Sequence, residues 1–290
     1  MTTERATTSF PALTFLGHAT MLLEIAGMRI LTDPLVFERL LILRRTATRL
    51  DPALHRDIDA VLISHLHIDH LHIRSLLEIG RGTRVIMPAG GERLLTGHGF
   101  TRVEGVRPGD VMTVGPVRVT ATFADHDGRR PPLGPAGPPL GFLLEEGPTK
   151  VYFAGDTDIF PGMVDLAPGL DVAMLPVWGW GPRLGHGHMN PRRAAEALRL
   201  LVPRYAVPIH WGTLWPYGLG RVVPGRLTDP PREFARFARR YAPGVQVLLT
   251  PPGQPVLFDP EGPDPALRML RAKPPRPPRL PAMPGTRRRP

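Results

Sequence analysis

Residues 58–70 read IDAVLISHLHIDH, and they indicate both a sheet and the chemistry at its end. The first half is an apolar run broken only by Asp59, which is typical of a strand buried on both faces. Four possible metal ligands follow within six residues, namely His65, His67, Asp69 and His70. In a tight loop the first two histidines can face one metal ion while Asp69 and His70 face a neighbouring one. The stretch therefore predicts a metal site at the end of a buried strand.

The composition restricts the possible ligands. The 290 residues contain no cysteine, so disulfides and thiolate ligands are excluded. Imidazole and carboxylate are the ligands expected of zinc when thiolate is absent, whereas Mg²⁺ and Ca²⁺ prefer oxygen-rich sites. We therefore expect zinc, with manganese or iron as alternatives. A chance cluster of histidines on a polar loop is the other interpretation, and four ligands at this spacing argue against it.

The net charge of +10 is concentrated at the C-terminus. Residues 271–290 contain seven basic residues, seven prolines and no acidic residue, while the rest of the chain has 29 basic and 26 acidic residues. A Pro/Arg segment with few apolar residues is expected to be disordered. We therefore predict a folded domain over residues 1–265 and a disordered basic tail over residues 266–290. The excess of three basic residues in the body argues against extensive contact with nucleic acid, and the tail allows at most a peripheral membrane contact.

Hydropathy indicates neither a membrane span nor a signal peptide. No run approaches the roughly 18 apolar residues of a membrane helix, and residues 1–10 lack the apolar segment of a signal peptide. We expect a cytoplasmic protein, and the sequence does not indicate its oligomeric state.

Short apolar runs separated by turn residues predict many strands, followed by strands mixed with helices. Asn190 and Pro191 form a strong helix start, because Asn can cap free N–H groups and Pro fits the first turn. Residues 32–57 are predicted as a loop with some helix. The predicted helices are 92–96, 192–201 and 231–241, and the predicted strands are 13–16, 21–25, 28–31, 58–63, 84–87, 111–114, 117–123, 141–145, 151–154, 171–176, 205–209, 245–249 and 256–258. This pattern predicts a layered α/β fold with helices outside packed sheets.

The order of the polar motifs resembles that of the metallo-β-lactamase superfamily. Residues 65–70 match its HxHxDH motif, and FADH at 123–126, AGDT at 154–157 and PIHWG at 208–212 look like its later motifs. The resemblance implies a four-layer αββα sandwich with the metal ions at one edge. It also implies that His126 completes the first metal site, that His210 completes the second, and that Asp156 bridges the two ions.

Three further segments resemble one branch of that superfamily. GHAT at 17–20, LTDP at 31–34 and IDAVLISH at 58–65 are similar to segments of N-acyl-phosphatidylethanolamine-hydrolysing phospholipase D and of bacterial ascorbate-phosphate lactonase-like hydrolases. The likeness covers about residues 12–258. It favours a dinuclear hydrolase, in which two dications about 3.5–4 Å apart share a water that loses a proton near neutral pH.

The substrate is less well determined than the metal site. We predict a phosphodiester, either a small molecule or a lipid-like one. The basic tail and the apolar stretch 35–43 would suit a lipid interface. A lactone or other carboxylic ester is the alternative, because the same site can attack carbon. A third possibility is a non-catalytic metal-binding or nucleic-acid-binding relative, which the complete ligand set disfavours.

Four more residues have predicted roles near the metals. Asp33 is predicted to orient a ligand imidazole, with a simple turn before Pro34 as the alternative. His18 either lies near the metals or only packs its hairpin. Asp69 is a ligand and a possible proton acceptor. His188 lies in a Gly-rich loop before a helix, where an anion can bind, and it is predicted to contact the substrate or protonate the leaving group.

Other aromatic side chains have weaker indications. His186 is a poorer candidate for substrate contact than His188. The four tryptophans, at 178, 180, 211 and 215, could line an apolar mouth, although core packing is the ordinary role of each. His55 and His98 are expected at the surface.

Overall fold

The computed structural model describes residues 10–46, 49–179, 184–216 and 224–258. Two seven-stranded sheets pack against each other, and helices cover their outer faces. This arrangement confirms the αββα sandwich predicted from the sequence. The tail predicted over residues 266–290 lies outside the described residues.

The first sheet combines antiparallel and parallel strands. From one edge to the other it contains β17 (Gln254–Pro255), β1 (Ala12–Gly17), β2 (Thr20–Ile25), β3 (Met28–Thr32), β6 (Ala60–Leu62), β7 (Arg84–Pro88) and β8 (Val103–Val106). The last four strands are parallel to one another. Every residue of β6 is buried, as expected for a central parallel strand.

The second sheet faces the first across the main core. Its spatial order is β16 (Gln246–Val247), β14 (Tyr205–Ile209), β13 (Val172–Pro176), β12 (Thr149–Phe153), β11 (Leu140–Glu146), β10 (Val117–Phe123) and β9 (Val111–Val114). Strands β12, β13, β14 and β16 are parallel. Because β11 is antiparallel to both β10 and β12, β10 runs in the same direction as β12 and β14, and these strands end at one edge.

In the described part of the chain, four α-helices form the outer layers. The first sheet is covered by α1 (Ile73–Ile79) and α2 (Arg93–Thr96), whose Leu76 and Leu95 pack into its outer core. The second sheet is covered by α3 (Pro191–Leu201) and α4 (Asp229–Tyr241). Helix α3 begins as predicted, because the Asn190 side chain accepts a hydrogen bond from the Arg193 amide and Pro191 occupies the first turn. Within the described ranges, no helix has the length and apolarity needed to cross a bilayer.

The segment before β6 differs from its prediction. Instead of a loop with some helix, residues 39–45 form a hairpin of β4 (Arg39–Leu40) and β5 (Leu43–Arg45). Strand β15 (Leu214–Pro216) adds to β5 and completes a three-stranded sheet. A single turn of 3₁₀-helix, Pro52–His55, is the helical element described there. Partners distant in sequence stabilise such short strands, so local propensity does not reveal them.

Other differences are smaller. The sequence prediction omits α1 and β8. It extends the strand at 245–249 beyond β16, and it places the last strand at 256–258, directly after the observed β17. The prediction that His55 lies at the surface is wrong, because it is 8% exposed, whereas His98 is exposed as predicted.

Candidate metal centre

The predicted ligands follow four strands that end at the same edge of the sandwich. His65 to His70 follow β6 of the first sheet, while His126, Asp156 and His210 follow β10, β12 and β14 of the second. Since those three strands of the second sheet point the same way, their C-terminal loops converge opposite the loop after β6. The fold therefore brings together side chains that lie far apart in the sequence.

Three histidines form the first cluster. Nδ1 of His67 lies 3.2 Å from Nε2 of His126, and the ring of His65 lies 4.5 Å from each of the other two rings. Ligand atoms of all three lie within 4.8 Å of one another. Nε2 of His65 is buried and has no hydrogen-bond partner.

The second cluster contains Asp69, His70 and His210. Nε2 of His70 lies 3.2 Å from Nε2 of His210, and Oδ2 of Asp69 lies 3.7 Å and 3.9 Å from these two nitrogens. Two unprotonated ring nitrogens at this distance cannot hydrogen-bond to each other, so a proton or a cation must lie between them.

Asp156 lies between the two clusters. Its Oδ2 is 3.2 Å from Nε2 of His70 and 3.1 Å from Nε2 of His210. Its carboxylate also lies within 4.8 Å of a ring nitrogen of His65 and of a ring nitrogen of His126. Its Oδ1 is buried without a hydrogen-bond partner. One carboxylate oxygen therefore serves the second cluster, and the other remains available on a side chain that is 2% exposed.

Contacts on the outer side of the rings fix which nitrogen faces the centre. Nδ1 of His126 lies 2.9 Å from the carbonyl of Gly187, and Nδ1 of His210 lies 2.6 Å from the carbonyl of Trp178. Because a carbonyl can only accept, each Nδ1 carries the proton, and Nε2 keeps its lone pair when the ring is neutral. Such outer contacts are typical of histidines that bind metals.

Asp33 and Ser64 likewise fix which nitrogen of His70 and of His65 faces the centre. Asp33 accepts hydrogen bonds from the Ser64 amide, at 2.7 Å, and from its hydroxyl, at 2.6 Å. The Ser64 oxygen, which has thus donated its proton, lies 3.0 Å from Nδ1 of His65 and can accept from it. Nδ1 of His70 donates to Asp33 Oδ2 at 2.8 Å. The sequence analysis did not identify Ser64, although it directly precedes the first ligand.

Burial and charge set the protonation of the cluster. Burial, reinforced by neighbouring rings, holds the pKa of His65 well below its ordinary value and lowers the pKa of His126 to about 4. Burial also opposes ionisation of Asp156, but His210 and His70 outweigh it and hold its pKa well below the usual range. Burial likewise opposes charge on His70, yet the surrounding carboxylates raise its pKa well above the ordinary value. The ionised carboxylates therefore require positive charge between the rings.

These residues fit a pair of transition-metal ions. Two ligand atoms each about 2.1 Å from a tetrahedral ion lie about 3.4 Å apart, close to the separations of 3.1–3.2 Å measured between the closest donors. The two orphaned atoms, His65 Nε2 and Asp156 Oδ1, are buried polar groups that need a partner. The donor set is mainly imidazole, which suits zinc, manganese or iron better than magnesium or calcium.

His188 and His18 each lie beside a different carboxylate of the centre. Nε2 of His188 is 3.5 Å from Asp156 Oδ2, and its Nδ1 donates to the carbonyls of Gly185 and His186 at 3.3 Å and 3.2 Å. His18 is buried, and its Nε2 lies 3.0 Å from Asp69 Oδ2. Both predicted residues are thus adjacent to carboxylates of the centre.

The remaining candidates divide between loop and core. His186 is exposed and belongs to none of the ligand-sized groups found in the described parts of the chain. Trp178, Trp211 and Trp215 are buried, which favours core packing over the apolar mouth, and Trp180 lies outside the described residues. Arg130 is a residue that sequence reasoning missed. Its guanidinium donates to the carbonyls of Leu66 and Leu71 and so braces the ligand loop.

Comparison with known proteins agrees with the fold and shows the family. Residues 28–211 match the family model described as the β-lactamase superfamily domain. A UPF0173 metal-dependent hydrolase from Rubrobacter xylanophilus is 33% identical over 255 residues, covering 83% of this chain and 94% of the relative. One from Opitutus terrae is 32% identical over 252 residues, covering 84% of this chain and 98% of the relative.

Solved structures share the architecture. Igni18, a metallo hydrolase from Ignicoccus hospitalis, is 26% identical and superposes with a TM-score of 0.67 over 86% of this chain and 98% of its own. CmlA, a diiron β-hydroxylase from Streptomyces venezuelae, is 22% identical, with a TM-score of 0.62 over 82% of this chain and 53% of its own, and shows the same fold. The chain therefore belongs to the metallo-β-lactamase superfamily, among its UPF0173 metal-dependent hydrolases.

Proposed function

We propose that this chain is a dinuclear zinc hydrolase that cleaves a phosphodiester. The first ion would be held by His65, His67 and His126. The second would be held by Asp69, His70 and His210, and Asp156 would be a ligand of both. The position of Asp156 carries the proposal. One of its oxygens lies 3.1–3.2 Å from two ring nitrogens, and the other is buried without a partner.

Bound divalent ions would lower the pKa of a water that they share and polarise a substrate oxygen. The chain's own groups then hold and move protons. Burial opposes ionisation of Asp69, but His70 and His18 hold its pKa well below the usual range. So acidic a carboxylate is a weak base, which favours its role as a ligand over its role as proton acceptor.

We assign protonation of the leaving group to His188. Burial would lower its pKa, but the contact with Asp156 outweighs burial, and the pKa is raised. Because Nδ1 donates to two carbonyls and Nε2 points to the centre, a proton on Nε2 can pass to a leaving oxygen. His188→Gln should therefore slow hydrolysis of a phenyl phosphodiester by about 10²-fold and that of a p-nitrophenyl phosphodiester much less. Equal slowing of both substrates would contradict this role.

An open cavity next to the loop that follows His126 supports an anionic substrate, because two arginines line it. It has a volume of about 490 Å³, and its lining includes Arg107, Arg129 and the backbone of Gly90 and Gly137. It also includes Asp127, the residue after His126, so the cavity adjoins a ligand loop. Guanidinium groups are suited to phosphate oxygens.

Metal content and activity test the proposal together. We expect two equivalents of zinc in the purified protein and turnover of bis-p-nitrophenyl phosphate that exceeds turnover of lactones and p-nitrophenyl acetate. His65→Ala and Asp156→Asn should each lower bound metal and reduce turnover by several orders of magnitude. His98→Ala alters an exposed histidine and serves as the control. A panel in which lactones are cleaved fastest would establish the carboxylic ester alternative, and full activity in His65→Ala would contradict the assignment.

A further inference from the structure

The turn of the β4–β5 hairpin presents two large apolar side chains to solvent. Leu41 is 80% exposed and Ile42 is 75% exposed. Among the described residues, they are the one adjacent pair of large apolar side chains that are both exposed. Isolated apolar residues at a surface are ordinary, whereas a contiguous apolar protrusion marks an interaction site.

The geometry of the turn does not explain these residues. Leu41 has a φ of +51°, in the region that favours glycine or asparagine. Two-residue hairpin turns with a positive φ usually contain Gly, Asn or Asp. Here a leucine adopts the unfavourable conformation and a β-branched isoleucine follows it. A side chain kept against its backbone preference indicates a role for the side chain itself.

Two arginines lie behind the turn on the outer face of the hairpin. Arg39 and Arg44 are direct cross-strand partners, and both are exposed. An anion near both guanidinium groups would be attracted by two positive charges. Glu38 is the sole acidic residue in the segment 35–46. The hairpin thus combines an apolar tip with a basic band.

The inner face of the hairpin is attached to the metal centre. Leu40 and Leu43 are buried in a cluster with Leu35 and Leu214, and Ile68 packs against that cluster. Ile68 lies between the ligands His67 and Asp69. The exposed tip therefore begins one residue beyond side chains that contact the ligand loop.

We propose that this hairpin is a membrane-docking wedge. Leu41 and Ile42 enter the acyl region of an anionic bilayer, while Arg39 and Arg44 bind its headgroup phosphates. Apolar burial and electrostatic attraction add in interfacial binding, and the arginines lie two residues behind the tip, where they can reach the headgroups. The wedge would hold the metal centre close to the lipid surface. That the enzyme takes its substrate from the bilayer rests on the proposed function. Membrane binding by the hairpin is independent of it.

The absence of cysteine permits a site-specific test. Ile42→Cys introduces a single thiol into the full chain, to which an environment-sensitive nitrobenzoxadiazole label is attached. Val164→Cys, at a residue that is 50% exposed on another part of the surface, is the matched control. With vesicles of phosphatidylglycerol and phosphatidylcholine, the label at 42 should shift its emission to the blue and become protected from iodide. The label at 164 should change little.

A second variant separates loss of docking from loss of folding. Leu41→Gly combined with Ile42→Ser gives the turn residues that its backbone favours, so the hairpin should be at least as stable. We expect vesicle partitioning to weaken by about tenfold or more, since a buried Leu-sized side chain contributes about this much. Hydrolysis of soluble bis-p-nitrophenyl phosphate should remain unchanged. Arg39→Gln with Arg44→Gln should reduce the preference for anionic over neutral vesicles.

Three outcomes would overturn the proposal. Vesicle sedimentation without a change in the label at 42 would mean that another segment, such as the basic C-terminal residues, makes the contact. An absence of binding to both anionic and neutral vesicles would exclude docking. A blue shift that appears on concentrating the protein without vesicles would assign the hairpin to contact with a second copy of the chain. None of these results depends on whether the soluble phosphodiester is cleaved, so docking and the proposed function can fail separately.

Discussion

Replacement of Asp33 by asparagine should weaken the metal site that contains His70 more than the site that contains His65. Asp33 is fully buried and accepts three hydrogen bonds, from the amide and the hydroxyl of Ser64 and from Nδ1 of His70. Asparagine has the same shape but offers one oxygen and one NH₂ group. If its oxygen keeps the Ser64 amide, its NH₂ group meets the Nδ1–H of His70.

That clash should reverse the tautomer of His70. The proton would move to Nε2, which lies 3.2 Å from Nε2 of His210 and 3.2 Å from Asp156 Oδ2. A protonated Nε2 cannot bind a metal ion. Loss of one such outer contact typically lowers metal affinity by about 10–100-fold, or about 1.4–2.7 kcal/mol. The unpaired buried donor should also reduce the free energy of unfolding by about 1–3 kcal/mol.

The assay is calorimetric titration of zinc into metal-free protein, with elemental analysis of the reloaded sample. We expect Asp33→Asn to weaken most the site of Asp69, His70 and His210, because Asp33 contacts His70 directly. The site of His65, His67 and His126 should weaken less, because Asp33 reaches His65 only through Ser64. Asp59→Asn, whose carboxylate accepts from the Arg29 amide at an exposed position remote from the centre, is the control. Two sites of unchanged affinity in Asp33→Asn would refute the reasoning, as would an equal loss from both.

Three further predictions follow from the structure. Asn190→Ala removes the side chain that caps helix α3 and should lower the free energy of unfolding by about 1 kcal/mol in urea denaturation; an unchanged midpoint would mean that the cap contributes nothing. Gly155→Ala places a Cβ 2.5 Å from Ser64 Cβ at a φ of +61°. Overpacking should lower the free energy of unfolding by about 1–3 kcal/mol, and the positive φ adds strain. The substitution should also displace the adjacent Asp156 and lower the metal content, so a metal content equal to that of the wild type would argue against this. Burial, aided by Arg74 and Arg130, lowers the pKa of His72 to about 4, so between pH 6.5 and 4 the unfolded chain binds a proton that the folded chain does not. The free energy of unfolding should therefore decrease as the pH falls from about 6.5 toward 4. In metal-free protein, His72→Gln should lessen this decrease between pH 7 and pH 5, and parallel pH profiles of variant and wild type would contradict the prediction.

The sequence predicted those parts of the fold whose signals are local and strong. The buried run before His65, the strands at 111–114 and 117–123 and the Asn190-Pro191 helix start all have the periodicity or capping residues that define them. The ligand motifs were placed at strand ends, and parallel strands deliver their C-terminal loops to one edge. The expectation that His65 and His210 meet came from the resemblance to the superfamily, and the parallel strands account for it.

The missed elements depend on contacts that local sequence does not encode. Strands β4 and β5 have only two and three residues, and β5 is stabilised by pairing with β15, which lies after most of the second sheet. Helix α1 has seven residues, and His72 at its start makes no side-chain capping bond. Arg130 lies in a Pro/Gly-rich loop with no recognisable motif, and only the folded chain shows that it contacts the carbonyls of Leu66 and Leu71.

Anomalous diffraction from crystals of the full chain, recorded on both sides of the zinc absorption edge, tests the dinuclear centre most directly. The account predicts two peaks flanking the Asp156 carboxylate, one bound by His65, His67 and His126 and the other by Asp69, His70 and His210. A single peak, or metal bound away from Asp156, would contradict it.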